Sequence, residues 1–167
     1  MYKRSFVLFL SYFNRNKDYF ECHEVLEEHW KDVAKGVRDH ELVGFIQLAT
    51  GMYHWRRQNV VGAHRILVKA NNHLHAHLTS AYYEGIDMQQ LFDDLQFAIT
   101  ETKDQKPFTT FPIIIKDNEL KRLVEAVPLP ELSTDFIHNK HRLRDRQEVI
   151  QERLDSLSER QQRRASK

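Results

Sequence analysis

Apolar residues recur at helical spacing through most of this chain, and short polar segments containing Gly or Pro separate them. The pattern predicts five helices, which cover about residues 3–14, 18–34, 40–58, 60–83 and 88–103. A short sixth helix is predicted from Asp117 to about Val127, after an extended segment at Ile113–Ile115. The sequence therefore predicts an all-α fold, a compact bundle of five or six helices with a charged C-terminal helical tail.

Residues with short polar side chains stand where four of these helices begin. Asp18, Asn59, Asp87 and Asp117 each precede a run with helical apolar spacing, as helix N-caps do. Glu21 follows Asp18 by three residues, in the position of a capping-box acid. We therefore expect these four side chains to cap their helices.

Two of the predicted helices differ in how their apolar residues are distributed. The helix over 40–58 is apolar in almost every direction, which is typical of a central helix. The helix over 60–83 carries one apolar stripe, in which Ala63 and Ala70 would permit tight packing. That stripe consists of Ala63, Ile66, Leu67, Ala70, Leu74 and Leu78.

Pro128–Leu129–Pro130 is the strongest break in the pattern, and we interpret it as a domain boundary. It divides a helical-bundle domain, residues 1–127, from a basic helical tail, residues 128–167. A narrow heptad seam in the tail consists of Leu143, Gln147, Ile150, Leu154, Leu157 and Gln161. Two interpretations stay open: the tail folds back on the bundle, or it binds an unknown protein partner or a second copy as a homodimer.

Composition and charge argue against several classes of partner. The formal net charge is +1, and acidic residues interspersed among the tail arginines weaken any attraction to nucleic acid. No apolar run approaches the roughly 18 residues of a membrane span, and Phe6–Leu10 is interpreted as core helix, not as a signal peptide. The one cysteine, Cys22, cannot form an intrachain disulfide, which fits a protein of the cytoplasm.

His23 and Glu27 stand on a helix face that should be apolar. At about 100° per residue they share one direction with other residues of this helix, namely Tyr19, Phe20, Leu26, Trp30 and Ala34. We therefore expect an imidazole and a carboxylate, one turn apart, to enter the core with the aromatic residues. Burial of either group costs several kcal/mol unless it is paired, so the face predicts either a closed polar network or a functional site.

A second polar stripe lies on the predicted helix over 40–58. Gln47, Thr50, His54 and Gln58 line one of its sides, and Gly51 between them allows close approach. If this helix packs antiparallel to the preceding one, the two polar sides meet. The predicted cluster then contains His23, Glu24, Glu27, Gln47 and His54.

Three stretches of the chain together resemble a known family. They are Tyr19–Trp30, which reads YFECHEVLEEHW, then Gly44–His54 and Asn59–Leu67. They resemble the bacterial and archaeal family called domain of unknown function 309, and the wider sequence is similar to its Bacillus-type members. The resemblance covers about residues 6–80 and implies a compact all-α fold. It implies no activity and supplies no catalytic residues.

The leading interpretation of the cluster is a closed hydrogen-bond network in a non-enzymatic binding or scaffold module. In that network Glu27 would hold the His23 imidazole, while Gln47 and His54 would satisfy the remaining groups. This interpretation expects no cofactor and no metal.

Two alternatives use the same residues. His23, Glu27 and His54 could chelate one divalent metal ion, and an open coordination position would then support a metal-dependent hydrolase. The sequence there reads His-Glu-x-x-Glu, so it lacks the second histidine of the zinc metalloprotease motif. The other alternative is a metal-free pocket for an organic ligand beside Tyr19, Trp30, Tyr53 and Trp55. A Cys–His dyad is not expected, because Cys22 falls off the His23 face.

Overall fold

The computed structural model describes residues 1–143, 151, 153–155, 157–159 and 161–162. Helices dominate this part of the chain, and it contains no β-strand, so the predicted all-α class is confirmed. The helices are α1 (Arg4–Ser11), α2 (Tyr19–Ala34), α3 (Glu41–Arg56), α4 (Val60–Ala76), α5 (Met88–Lys103), α6 (Asn118–Ala126), α7 (Thr134–His138) and α8 (Lys140–Leu143).

The first predicted helix is interrupted near its end. α1 stops at Ser11, and a π-helical turn, Tyr12–Asn16, continues the chain to Lys17. Lys17 has a left-handed backbone with φ of 54°, and the amide of Asp18 donates back to the carbonyl of Tyr12 at 3.1 Å. The tight reversal places Asp18 at the start of α2, where its side chain accepts from the amide of Glu21. The other predicted caps, Asn59, Asp87 and Asp117, are also confirmed.

α3 lies at the centre of the bundle, as its apolar pattern predicts. It packs closely against α4, because glycines on α3 face leucines on α4. A β-carbon at Gly51 would lie 2.5 Å from Cδ2 of Leu67, and one at Gly44 would lie 2.8 Å from Cδ2 of Leu74. The absence of those two side chains therefore sets the separation of the two helices.

The fourth helix is shorter than its pattern predicts. It ends at Ala76 instead of about residue 83, and Leu78, the last residue of the predicted stripe, is 62% exposed. The chain then turns into a short 3-10 helix, Ala81–Tyr83, and the Tyr83 hydroxyl donates to the carbonyl of Leu74 at 2.7 Å. This bond satisfies a carbonyl at the end of α4 and brings the Tyr83 ring against Phe45 in the core.

The segment between α5 and α6 is extended, as predicted, and lies on the bundle. Phe111 and Ile113 are buried, and both polar groups of the Asn14 side chain bond to the backbone of Ile113 at 2.8 Å. One isolated bridge pairs Ile86 with Ile115. The Asn14 bonds therefore tie this segment to the turn before α2.

Residues 131–143, which we call the C-terminal segment, contact the bundle through α7 and α8. Ile137 is buried, whereas three leucines of the predicted heptad seam are exposed: Leu143, Leu154 and Leu157. Gln161 is exposed as well, and Gln147 and Ile150 lie outside the described residues. Within the part of the chain that the structure describes, no helix is long and apolar enough to cross a membrane.

Candidate functional site

The predicted burial of His23 and Glu27 is wrong. Their side chains are 31% and 33% exposed, while the face of α2 that enters the core carries Tyr19, Cys22 and Leu26. The prediction counted Phe20 and Trp30 as core residues and therefore placed the buried face of α2 on their side. In the structure both lie at the rim of the core instead of inside it. The buried face is consequently rotated toward Cys22, and the His23 side of α2 meets solvent.

His23 is nevertheless at the centre of a compact polar group. Its Nδ1 lies 3.1 Å from Oε1 of Glu24, and its Nε2 lies 3.9 Å from Oε2 of Glu27. Glu27 also pairs with Lys31 at 3.1 Å. One ligand atom from each of His23, Glu24 and Glu27 lies within 4.8 Å of the others, so this group could hold a metal ion. We call these three residues the His23 group.

Gln47 faces the His23 group across a cleft of about 450 Å³, which we call the glutamine cleft. Its other lining residues are Trp30, Arg38, Val43, Ile46, Lys69 and His73. Oε1 of Gln47 is shielded from solvent and accepts no hydrogen bond from the described residues. Gln47 therefore does not close the network that the sequence predicts.

His54 lies on a different cleft, which has a volume of about 290 Å³ and shares only His23 with the first. We call it the histidine cleft, and it is lined by Tyr19, Phe20, His23, Thr50, Tyr53, His54, Arg57, Asn59 and His141. His54 does not belong to the group that could hold a metal ion. Of the five predicted residues, His23, Glu24 and Glu27 thus form one group on α2. Gln47 lies on the glutamine cleft and His54 on the histidine cleft.

The orientation of the His54 ring follows from its partner Asn59. The Asn59 side-chain oxygen accepts from the amide of Gly62 at 3.2 Å, so its amide nitrogen is the group that faces His54. That nitrogen donates to Nδ1 of His54 at 3.2 Å. Burial lowers the pKa of His54, and the positive charge of Arg57 lowers it further.

His141 is a site residue that sequence reasoning missed. It comes from the C-terminal segment, and its Nδ1 lies 2.7 Å from the hydroxyl of Tyr53, 88 positions earlier in the chain. That hydroxyl also accepts the backbone amide of His141 at 3.3 Å. In the sequence, only the basic composition of the tail drew attention to this region, and composition does not predict where a segment packs.

An ion pair holds this C-terminal segment in place. Nζ of Lys140 lies 2.7 Å from Oδ2 of Asp18 and 2.9 Å from Oε2 of Glu21. Asp18 is fully buried. Burial by itself would lower the pKa of Lys140, but the hydrogen bonds to the two carboxylates outweigh that effect and raise it. His141 forms one wall of the histidine cleft, and its position there therefore depends on the ion pairs of Lys140.

Cys22 contributes no reactive thiol to either cleft. It is fully buried, its Sγ donates to the carbonyl of Phe9 at 3.5 Å, and burial raises the pKa of the thiol well above its usual value. A protonated, buried sulfur is a poor nucleophile. The expectation that Cys22 does not pair with His23 is confirmed.

Comparison with known proteins gives two matches. A family model described as "Domain of unknown function (DUF309)" matches residues 6–66. The "Uncharacterized protein YpuF" of Bacillus subtilis (strain 168) is 35% identical over 170 residues, which cover 96% of this chain and 97% of that protein. No solved structure matches.

Replacement of Lys140 tests the docking of the C-terminal segment. Lys140→Met should lower the free energy of unfolding by about 1–3 kcal/mol, because it leaves the Asp18 carboxylate without its main donor. The pKa of His141, which burial lowers, should rise toward 6.5 as the segment detaches. Urea denaturation and NMR titration of the imidazole measure the two effects. Lys121→Met, on an exposed part of α6, is the control, and an equal effect there would contradict the prediction.

The lowered pKa of His54 also predicts how stability depends on pH. Unfolding returns His54 to a pKa near 6.5, so below that pH the unfolded state binds more protons than the folded state. The contribution of His54 to folding is therefore fully present above pH 6.5 and decreases as pH falls toward its lower folded-state pKa. In urea denaturation between pH 8 and pH 5, the His54→Gln variant should lose less stability than the wild type. Identical slopes for the two proteins would contradict the assignment.

Proposed function

The chain belongs to the family called Domain of unknown function (DUF309), as its motifs predict, and we propose that it is a non-enzymatic module that binds a small organic molecule. The ligand occupies the histidine cleft, between α2, α3 and the C-terminal segment. This proposal keeps the binding role expected from the sequence and replaces the closed internal network with an open cleft.

The observation that carries the proposal is the combination of size and lining in the histidine cleft. Its volume of about 290 Å³ is near the lower end of the roughly 300–1,000 Å³ common for small-molecule sites. Phe20 and Tyr53 provide aromatic walls, and their ring centroids lie 5.7 Å apart. Polar groups from His54, Arg57 and His141 surround these walls. An apolar interior with a few fixed polar groups is suited to orienting one ligand.

The hydroxyl and thiol groups near the cleft favour binding over covalent catalysis. The Thr50 hydroxyl donates to the carbonyl of Ile46 at 2.8 Å, and the Tyr53 hydroxyl is shared with His141. Cys22 is fully buried and does not line the cleft. The Thr50 hydroxyl is thus engaged and the Cys22 thiol is inaccessible, so neither is available as a nucleophile.

We further place this function in the cytoplasm, which the unpaired, buried thiol of Cys22 supports. A homodimer or partner complex through the C-terminal helix stays a prediction, as does the domain boundary at residue 128. The exposed Leu154 and Leu157 agree with an interface of that kind.

A variant that fills the histidine cleft tests the proposed function. Thr50→Phe places a ring in the cleft without changing its charge, and Thr100→Phe is a matched control, since Thr100 is exposed on α5 and makes the same hydroxyl-to-carbonyl bond four residues back. Benzoate, benzamide and benzylamine serve as probes in NMR titrations. At least one should shift the signals of Tyr53 and His54, and Thr50→Phe alone should abolish the shifts. If no probe affects those residues, the proposed function is wrong.

A second candidate function, binding of a divalent cation, is supported by the His23 group. One imidazole nitrogen and two carboxylate oxygens within 4.8 Å of one another are a ligand set that Zn²⁺ or Mn²⁺ accepts. The group differs from the predicted set, because Glu24 takes the place of His54. Hydrolysis is not part of this candidate, since the group offers no further base beside an open position.

Elemental analysis of the untagged protein, purified without chelator, tests cation binding. About one equivalent of a divalent metal should be present, and Glu24→Gln/Glu27→Gln should lose it, because both carboxylate ligands become neutral amides. Glu125→Gln, at an exposed position on α6, is the control and should retain the metal. A metal-free wild type that also fails to bind added Zn²⁺ or Mn²⁺ would rule out this candidate.

A further inference from the structure

The residues that line the histidine cleft include one permanent positive charge and no carboxylate among the described residues. Its lining contains three imidazoles, those of His23, His54 and His141, and the guanidinium of Arg57. None of the described residues that line it is Asp or Glu. A partly enclosed cleft that is lined by a guanidinium and by no carboxylate favours a negatively charged ligand.

Arg57 has unused hydrogen-bonding capacity at this cleft. Its Nε is shielded from solvent and has no hydrogen-bond partner among the described residues. The guanidinium carbon lies 5.7 Å from the centroid of the Tyr53 ring, which helps to fix its position. A buried donor without a partner is unfavourable, and a guanidinium pairs best with a carboxylate or phosphate. Arg57 is therefore suited to an anionic partner.

Two of the three cleft histidines, His54 and His141, are oriented as hydrogen-bond donors. Nδ1 of His54 accepts from the Asn59 amide, so the proton of the neutral ring is on Nε2. The Tyr53 hydroxyl accepts the backbone amide of His141 and has its own proton to donate to Nδ1 of that ring. With the hydroxyl as donor to Nδ1, the proton of the neutral His141 ring is on Nε2. Both rings keep an N–H group for a ligand, and both become stronger donors when protonated.

The acidic side chains nearest the cleft each have a polar partner. Glu24 lies against His23, and Lys140 bonds to both Asp18 and Glu21. Charged and titratable groups on the elements around the cleft include Asp18, Glu21, His23, Glu24 and Glu27 at α2, His54, Arg56 and Arg57 at α3, and Lys140, His141 and Arg142 at α8. Among the described residues that line the cleft, Arg57 is the one with a permanent charge, so its charge is the one that a ligand in the cleft meets.

We propose that the histidine cleft recognises a small organic anion, with its carboxylate or phosphate group on Arg57, His54 and His141 and its apolar body between Phe20 and Tyr53. This inference rests on the proposed function and specifies its ligand class. Because the anion stabilises protonated imidazoles, its binding is accompanied by proton uptake. Affinity therefore increases as pH falls toward the lowered pKa values that the two histidines have in the free protein.

A titration series with matched probes tests the charge preference. Phenyl phosphate and benzoate carry the two anionic groups, benzamide is neutral, and benzylamine is a cation of the same size. NMR titration of the full chain should give affinities for one or both anions about tenfold above that of benzamide, and benzylamine should bind least. The two anionic probes distinguish a phosphate ligand from a carboxylate ligand.

Variants of Arg57 show whether the preference arises in this cleft. Arg57→Gln should reduce anion affinity about tenfold, to the level of benzamide, while Arg57→Lys, which keeps the charge, should retain part of it. Arg65→Gln, exposed on α4, is the control for a general change of charge. Anion affinity in the wild type should rise between pH 8 and pH 6, and His54→Gln should reduce that rise.

The outcomes separate this inference from the proposed function. If benzamide or benzylamine binds as tightly as both benzoate and phenyl phosphate, and Thr50→Phe blocks all of them, the cleft is a ligand site without preference for anions and the inference is wrong. If Arg57→Gln leaves anion affinity unchanged, the anion does not contact Arg57 and the inference is also wrong. If no probe affects the cleft residues, both the inference and the proposed function are wrong.

Discussion

The buried carboxylate of Asp18 connects the bundle, the cleft and the C-terminal segment. One of its oxygens caps α2 through the amide of Glu21, and the other accepts from Lys140. Its position follows from the left-handed Lys17 and the π-helical turn before it. A fully buried carboxylate must be paired, so the chain near Lys140 has to return to the start of α2. The docking of His141 beside Tyr53 follows from that return.

The same geometry divides the surroundings of His23 into two kinds of chemistry. On α2 itself, Glu24 and Glu27 make the ring part of an anionic group that is suited to a cation. In the histidine cleft, Arg57 supplies a positive charge beside the two further imidazoles of His54 and His141. Because the groups are only partly exposed, solvent screens their charges less than it would on an open surface. The two environments therefore lie in separate regions, with His23 at their boundary.

The close packing of α3 against α4 keeps these regions rigid. Gly44 and Gly51 leave no room for a β-carbon, so the leucines of α4 fix the position of α3. Gln47, Thr50 and His54 are carried on that same helix, and their placement relative to α2 is set by a dense core. A site on a central helix is held more precisely than one on a loop, which suits a binding role.

The sequence by itself determined the helical class, the central position of α3 and the caps at Asp18, Asn59, Asp87 and Asp117. These features depend on contacts within a few residues, which periodicity and side-chain type report directly. Only the tertiary structure decided which side of α2 is buried, because Phe20 and Trp30 fit a rim as well as a core. It also decided that His141 meets Tyr53 and that Lys140 meets Asp18, 122 positions away. Contacts between residues so far apart in the sequence cannot be predicted from the local spacing of apolar residues, because they depend on how the completed helices pack.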